Sequence, residues 1–328
     1  MYDLNPKKVL CVGMMTCDSY YYDVDPLLLS LPNGTNSRVL MAAGGDATNV
    51  SVDLARMGHD SALIGLIGND FHGDGIMKTV TSAGVNTDSV IRRDDVTTTM
   101  TLILYTRDAQ NASDRHCSRN EGGNAQLCRS DITDDMLRGA AHLHYGSFGP
   151  LKSLDGEGGA DLLARARELG LSTSLDVKGL GRNNELLETM LPHVDLFMPN
   201  IDEVEDLIGL TDLHEIRAHY EKLGVGTLCV KMAERGVYIT DFNEEVLLPT
   251  LARQEEIVDV MGAGDAFCAG FISARLAGMP RCARTVGYAM AANRDPSVPC
   301  HRVVDRFGGT KSCFDLYGPG TQRALLEA

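Results

Sequence analysis

An α/β fold built on a mostly parallel sheet is what this sequence predicts, and three observations predict it. From Ala141 onward short apolar runs alternate with helix-like segments, the pattern of parallel strands joined by right-handed crossovers. Other apolar runs close on a glycine, as in Lys8-Val-Leu-Cys-Val-Gly13 and Ser61-Ala-Leu-Ile-Gly-Leu-Ile-Gly68, the form of strands buried on both faces. A loop, Gly262-Ala263-Gly264-Asp265, then feeds an apolar helix start with small residues at Ala269, Gly270, Ser273 and Ala274, which reads as a closely packed helix.

The chain has 328 residues, enough for one main domain with a small addition, and its 44% hydrophobic and 23% charged content is that of a globular protein able to bury a core. A formal net charge of −15 argues against a nucleic acid or an anionic membrane as partner of the whole molecule. No apolar run approaches the ~20 residues of a membrane span. Nine cysteines without a C-x-x-C pair, and no secretory leader ahead of them, fit a reduced cytoplasmic setting.

Taken in order, Lys8–Gly13 is a buried strand, and Asp18 follows it as a loop acid able either to make an Asx turn or to accept from a ligand. Residues 20 to 43 hold short β-like pieces, and a Thr-rich alternation runs from Val96 to Thr106. Gly44-Gly45 permits close approach of backbone to a ligand, and Asn49 offers an amide that both donates and accepts. After Asn49, Val50, Val52, Leu54 and Met57 have helical spacing. Further helices are predicted at Asp74 to Ala83 and Gly159 to Leu169. His142 and His144 share one face of a strand, a pattern that satisfied core histidines explain. Asp176 ends a strand at the edge where open α/β sheets bind ligands. Asn200 and Glu203 sit one turn apart, so they either close a capping box or organise a hydrated cation, and both can hold together. Lys231 ends a strand at a turn, as a solvated charge or a phosphate contact. The Gly262–Gly264 loop aims backbone N–H groups at one point, an anion hole, where Asp265 is either an N-terminal cap or an acid placed to take a proton.

Two stretches give these residues a family. Asp259-Val-Met-Gly262-Ala263-Gly264-Asp265 resembles the C-terminal D-T-x-G-A-G-D signature of the ribokinase-like (PfkB-type) carbohydrate kinases, with Val260 for the usual Thr. Gly44-Gly45-Asp46-Ala-Thr-Asn49, continuing to Gly65-Leu-Ile-Gly68-Asn-Asp70, resembles that family's N-terminal signature. The resemblance covers about residues 8 to 279. It implies a ribokinase-like three-layer α/β/α sandwich with a small β lid from segments near 14–43 and 95–126, within a kinase domain of residues 1–279. It implies transfer of the ATP γ-phosphoryl group to a hydroxyl of a sugar or nucleoside. Asp265 would be the base, with the N–H groups of Gly262, Ala263 and Gly264 on the phosphoryl oxygens. Asp18, Gly45, Asp46 and Asn49 would contact the acceptor, with Asn200, Lys231 and Gly264 toward the nucleotide. Mg²⁺ would be organised through water by Asn200 and Glu203. The family also admits a monovalent cation and a homodimer formed through the lid. Two departures are Ala233, where the family has Gly, and the Asp176-to-Arg182 segment, which lacks the family's Asn.

The tail, residues 280–328, changes character, with seven Lys or Arg against four acids. Its Arg284-Thr-Val-Gly287 and Pro299-Cys300-His301-Arg302 resemble the active-site half of the O6-alkylguanine-DNA alkyltransferases. That resemblance implies Cys300 as an alkyl acceptor and a DNA alkyltransferase activity as the alternative. Tyr288-Ala-Met-Ala-Ala-Asn293 equally fits the kinase's own late helix. A third reading is a non-catalytic sugar-binding relative, in keeping with Val260 and Ala233.

Overall fold

The computed structural model describes residues 7–25, 38–106, 115–178, 184–250 and 262–278. Arg182, Asp259 to Met261, Arg284, Cys300, His301 and the rest of the 280–328 tail lie outside the described residues.

Strands β1 (Lys8–Gly13), β4 (Asp60–Gly68), β5 (Val90–Arg93), β8 (His142–Phe148), β9 (Ser172–Val177), β10 (Leu196–Phe197), β11 (Leu228–Lys231), β12 (Val237–Thr240) and β13 (Glu245–Leu248) form one nine-stranded sheet, ordered β13-β12-β11-β10-β9-β8-β1-β4-β5. Every pairing from β5 to β11 is parallel, and β12 and β13 add an antiparallel edge. A second sheet, ordered β3-β2-β6-β7, contains β2 (Thr16–Val24), β3 (Arg38–Gly44), β6 (Met100–Thr106) and β7 (His116–Arg119).

Helices cover both faces of the large sheet: α1 (Asp46–Arg56), α2 (Phe71–Ser82) and α8 (Ala263–Leu276) on one side, α4 (Glu157–Glu168), α5 (Asn184–Met190), α6 (Ile201–Ile208) and α7 (Leu213–Lys222) on the other, with the short α3 (Asp134–Leu137). Alternation along β1 shows why the sheet is buried twice. Leu10 and Val12 belong to the core cluster that holds Leu162, Leu187, Val204 and Tyr220, while Val9 and Cys11 belong to the one that holds Val50, Leu54, Phe267 and Phe271. The fold is therefore a three-layer α/β/α arrangement, as expected from the sequence.

Small residues decide one contact that matters for the site. Ala266, Ala269, Gly270 and Ala274 are buried along α8, which lets it lie close against α1.

Local differences from the sequence reading have local causes. Helix α2 begins at Phe71 rather than Asp74 because Asp70 caps it, accepting from the Gly73 N–H at 2.8 Å. Helix α4 begins at Glu157, two residues before the predicted Gly159. Strand β5, which the sequence reading does not assign, joins the large sheet before the chain reaches β6. Among the described residues no helix is long and apolar enough to cross a membrane.

Candidate active site

The site gathers at the head of α1, the end of β9 and the first turn of α8. Two glycines make the first of these possible. A Cβ on Gly44 would fall 2.0 Å from Asp18 Oδ2, and one on Gly45, whose φ is +96°, 2.3 Å from the Met14 carbonyl oxygen. Only residues without side chains let β3, the Asp18 carboxylate and the start of α1 approach so closely. Asp18 accepts from Thr16 Oγ1 at 2.7 Å, which fixes its carboxylate on the small-sheet side of the glycine pair.

Asp265 lies in the first turn of α8, whose N-cap Gly262 is left-handed (φ +77°) and carries no side-chain cap. The first amide donors of this helix thus have no side-chain acceptor from the cap and no intrahelical partner. Asp265 is buried, and its Oδ2 accepts from Asn49 Nδ2 at 2.6 Å. Burial first, then the nearby Asp46 carboxylate, raise its proton affinity above the usual carboxylate range, against the pull of Lys178, Asn49 and Lys231.

Asp46, Asp176 and Asp265 bring carboxylate oxygens within 4.8 Å of one another. Like charges so close need cations. Lys231 Nζ donates to both oxygens of Asp176, at 2.9 and 2.8 Å. Lys231 is therefore no solvated turn residue; its ammonium lies beside the first turn of α8, 3.4 Å from where a Gly264 Cβ would stand. Burial pushes Asp176 up to about 6 even with this partner. Lys231 stays protonated because the surrounding acids outweigh the effect of its burial.

Asn200 and Glu203 close the capping box at the start of α6, each side chain accepting from the other's backbone N–H at 2.8 Å. Asn200 bridges to Lys231, and the Lys231 N–H bonds the Pro199 carbonyl at 2.9 Å, so this turn adjoins the acidic cluster. Burial and then Asp176 push Glu203 up to about 7. This is surplus negative charge of the kind that oxygen-liganded hard cations relieve.

One set of residues was not assigned to the site from sequence. His142 and His144 on β8 face Ser172 and Ser174 on β9 in register, and both histidines are fully buried. Sequence reasoning saw the shared face and expected satisfied core histidines. It missed that His144 Nε2 meets Asp46 Oδ1 at 3.0 Å, while Ser147 Oγ donates to Asp46 Oδ2 at 2.9 Å. Asp46, expected at the acceptor, is 1% exposed, with both oxygens on these partners. Burial would raise it, but the hydrogen bond and charge of His144 and the charges of Lys231 and Lys178 hold it below the usual range.

A family model for pfkB family carbohydrate kinase matches residues 6–292. The chain belongs to that family. As a member it is an ATP-dependent sugar kinase. This kinase is 27% identical over 246 residues to an uncharacterized sugar kinase of Archaeoglobus fulgidus, spanning 73% of this chain and 92% of that one. It is 27% identical over 253 residues to the 2-dehydro-3-deoxygluconokinase of Bacillus subtilis, spanning 72% and 74%. Among solved structures, Arabidopsis thaliana ribokinase complexed with ribose and ATP superposes with a TM-score of 0.76 at 20% identity, over 98% of this chain and 99% of that one. A putative ribokinase II from E. coli, in complex with ATP and Mg²⁺, gives 0.72 at 18% identity, over 92% and 96%. A second model, the DNA-binding domain of 6-O-methylguanine DNA methyltransferase, matches residues 268–328 and overlaps the first. Its described part, residues 268–278, includes the buried body of the kinase's α8. Ala233, expected from the resemblance to replace a glycine, adopts a left-handed φ of +49°.

Proposed function

We propose that this kinase transfers the γ-phosphoryl group of ATP to a hydroxyl of a sugar or nucleoside, with Asp265 as general base. One observation carries the reading: the 2.6 Å bond from Asn49 to Asp265 unites, across 216 residues of chain, the two glycine signatures from which an acceptor and a phosphate would be held. Asp18, Gly45 and Asn49 face the acceptor, and Asp265 takes the proton of its attacking hydroxyl. The N–H groups of Gly262, Ala263 and Gly264 stabilise charge on the phosphoryl oxygens. Lys231, already beside Gly264, adds positive potential beneath them, and Asn200 lies on the nucleotide side. Asn200 and Glu203 would hold Mg²⁺ through water, and the ion, when bound, neutralises the triphosphate. A monovalent cation belongs to the same reading. The small sheet would close over the acceptor and exclude water that otherwise hydrolyses ATP.

The small sheet also suggests how two copies associate. Val39, Leu40, Met41 and Leu102 expose apolar side chains on it, and β3 is its edge strand, so a homodimer through this lid is part of the proposal.

Replacing Asp265 tests the chemistry. Asp265→Asn should lower ADP release with a panel of sugars and nucleosides by about 10²-fold or more while ATP still protects against thermal unfolding. Turnover near that of the wild type would remove Asp265 from the base role. The match at residues 268–328 favours a second reading, alkyl transfer from DNA to Cys300. It expects stoichiometric, ATP-independent dealkylation that Cys300→Ser abolishes.

A further inference from the structure

Behind the proposed base runs a line of side chains that the reaction as described does not use. Ser172 Oγ lies 2.7 Å from His142 Nδ1, His142 Nε2 is 2.7 Å from Ser174 Oγ, and Ser174 Oγ is 2.8 Å from His144 Nδ1. The line ends at Asp46 Oδ1. A carboxylate only accepts, so His144 Nε2–H points at Asp46. Ser147 takes the other oxygen. His142, His144, Ser147 and Ser174 are 0% exposed. Asp46 is thus fixed from two sides by buried groups with nowhere else to turn.

We propose that Asp46, clamped by His144 and Ser147, is a positioning residue that stands as a fixed anion behind Asp265, rather than a ligand of the acceptor. The inference rests on Asp265 being the base. Asp46 and Asn49 lie one turn apart at the head of α1 and both address Asp265, Asn49 as a donor at 2.6 Å and Asp46 as a charge within 4.8 Å. The donor sets the orientation of the carboxylate, and the charge raises its affinity for a proton. The other charged or titratable groups near Asp265 among the described residues are Asp176 on β9, Lys178 after it, Lys231 on β11 and Cys268 on α8. Lys231 is engaged by Asp176 through two hydrogen bonds, and the contacts of Asp46 are His144 and Ser147, so among the described residues no lysine or arginine pairs with it directly. The direction found for Asp265, raised by burial and next by Asp46, agrees. A base works best when its proton affinity approaches the working pH, so Asp46 makes Asp265 a stronger base without touching substrate.

The test is the pH dependence of kcat, read by coupled ADP release from the full chain, with acceptor KM measured alongside. Asp46→Asn removes the charge and nearly keeps the shape. It should move the acid limb of kcat to lower pH by about one unit or more while acceptor KM stays within about threefold. An acid limb left in place with KM raised about tenfold or more would make Asp46 an acceptor ligand and overturn the proposal. Should Asp46→Asn fail to fold, a histidine pair decides. His144→Leu should lower kcat about tenfold or more, and His144→Gln, whose amide still donates toward Asp46, should restore it to within about threefold. Failure of Gln to rescue, or a loss confined to KM, also overturns it. Asp265→Asn runs beside them: if it retains turnover, the base reading falls and this proposal with it. If it is inactive while the Asp46→Asn limb does not move, this proposal alone falls.

Discussion

Consider Lys231→Met. The ammonium of Lys231 lies at 2.8 Å from Asp176, with side-chain exposures of 13% and 4%, so the pair is effectively out of water. Removing one partner of such a pair leaves an uncompensated buried charge and costs about 3–5 kcal/mol. Part of that cost depends on pH. Asp176 titrates at about 6 in the fold against an ordinary 3.8, so it binds its proton more tightly folded than unfolded. Its burial therefore costs nothing below the ordinary value and costs progressively more as pH rises to about 6. Without Lys231 the folded value climbs further, and the penalty keeps growing above pH 6. At pH 7.5 the extra term is about 1.5 pH units at 1.36 kcal/mol each, roughly 2 kcal/mol, and it vanishes toward pH 5. Thermal unfolding across pH 5 to 8.5 should show Lys231→Met melting roughly 6–12 °C below the wild type at pH 7.5, the gap narrowing in acid. Asp176→Asn in the same chain should recover most of the loss, a coupling of about 2 kcal/mol or more. A gap under about 2 °C that ignores pH would refute the claim that Lys231 neutralises a buried acid.

The remaining predictions concern the acceptor side and the lid. Gly45→Ala meets the Met14 carbonyl at a positive φ, whereas Gly58→Ala has a similar φ of +90° and nothing within 4 Å. Both should lose about 1–3 kcal/mol in thermal unfolding from strain, and Gly45→Ala should lose more and raise acceptor KM; equal losses would show that the close approach is unimportant. If the exposed Val39 and Met41 seat a second copy, light scattering should find a dimer that Met41→Glu converts to a monomer. A wild-type monomer at micromolar concentration would exclude the lid interface.

The sequence and the fold meet most closely where the signal is local. Strands β1 and β4 are visible as apolar runs because both faces of the sheet are covered, so no polar residue interrupts residues 9–13 or 62–68. Helix starts are less visible, since they depend on which side chain caps them. Asp70 moves the start of α2 three residues earlier than the apolar spacing alone indicates. The four residues of β5 carry no alternation, with burial intermediate or exposed throughout, and only pairing with β4 makes them a strand.

Within the site the same division holds. The place of Asp265 at the helix start was legible because a glycine, Gly262, takes the left-handed N-cap position from which α8 begins. The partners of Asp46 and of Asp176 were not, because they are 98 and 55 residues away and meet them only through the order of strands in the sheet. Yet the signal was present in part: His-x-His and Ser-x-Ser are both period-two patterns, and on neighbouring parallel strands they must meet if the register aligns them, as that of β8 and β9 does. Imidazole and hydroxyl facing each other across two buried strands leave one free ring nitrogen at the end of the line. In a closed core it needs a partner. The head of α1, laid against β8 by the close approach of Gly45 to Met14, supplies it as Asp46. The glycine pair that draws α1 to the sheet thus also brings a second carboxylate up to Asp265.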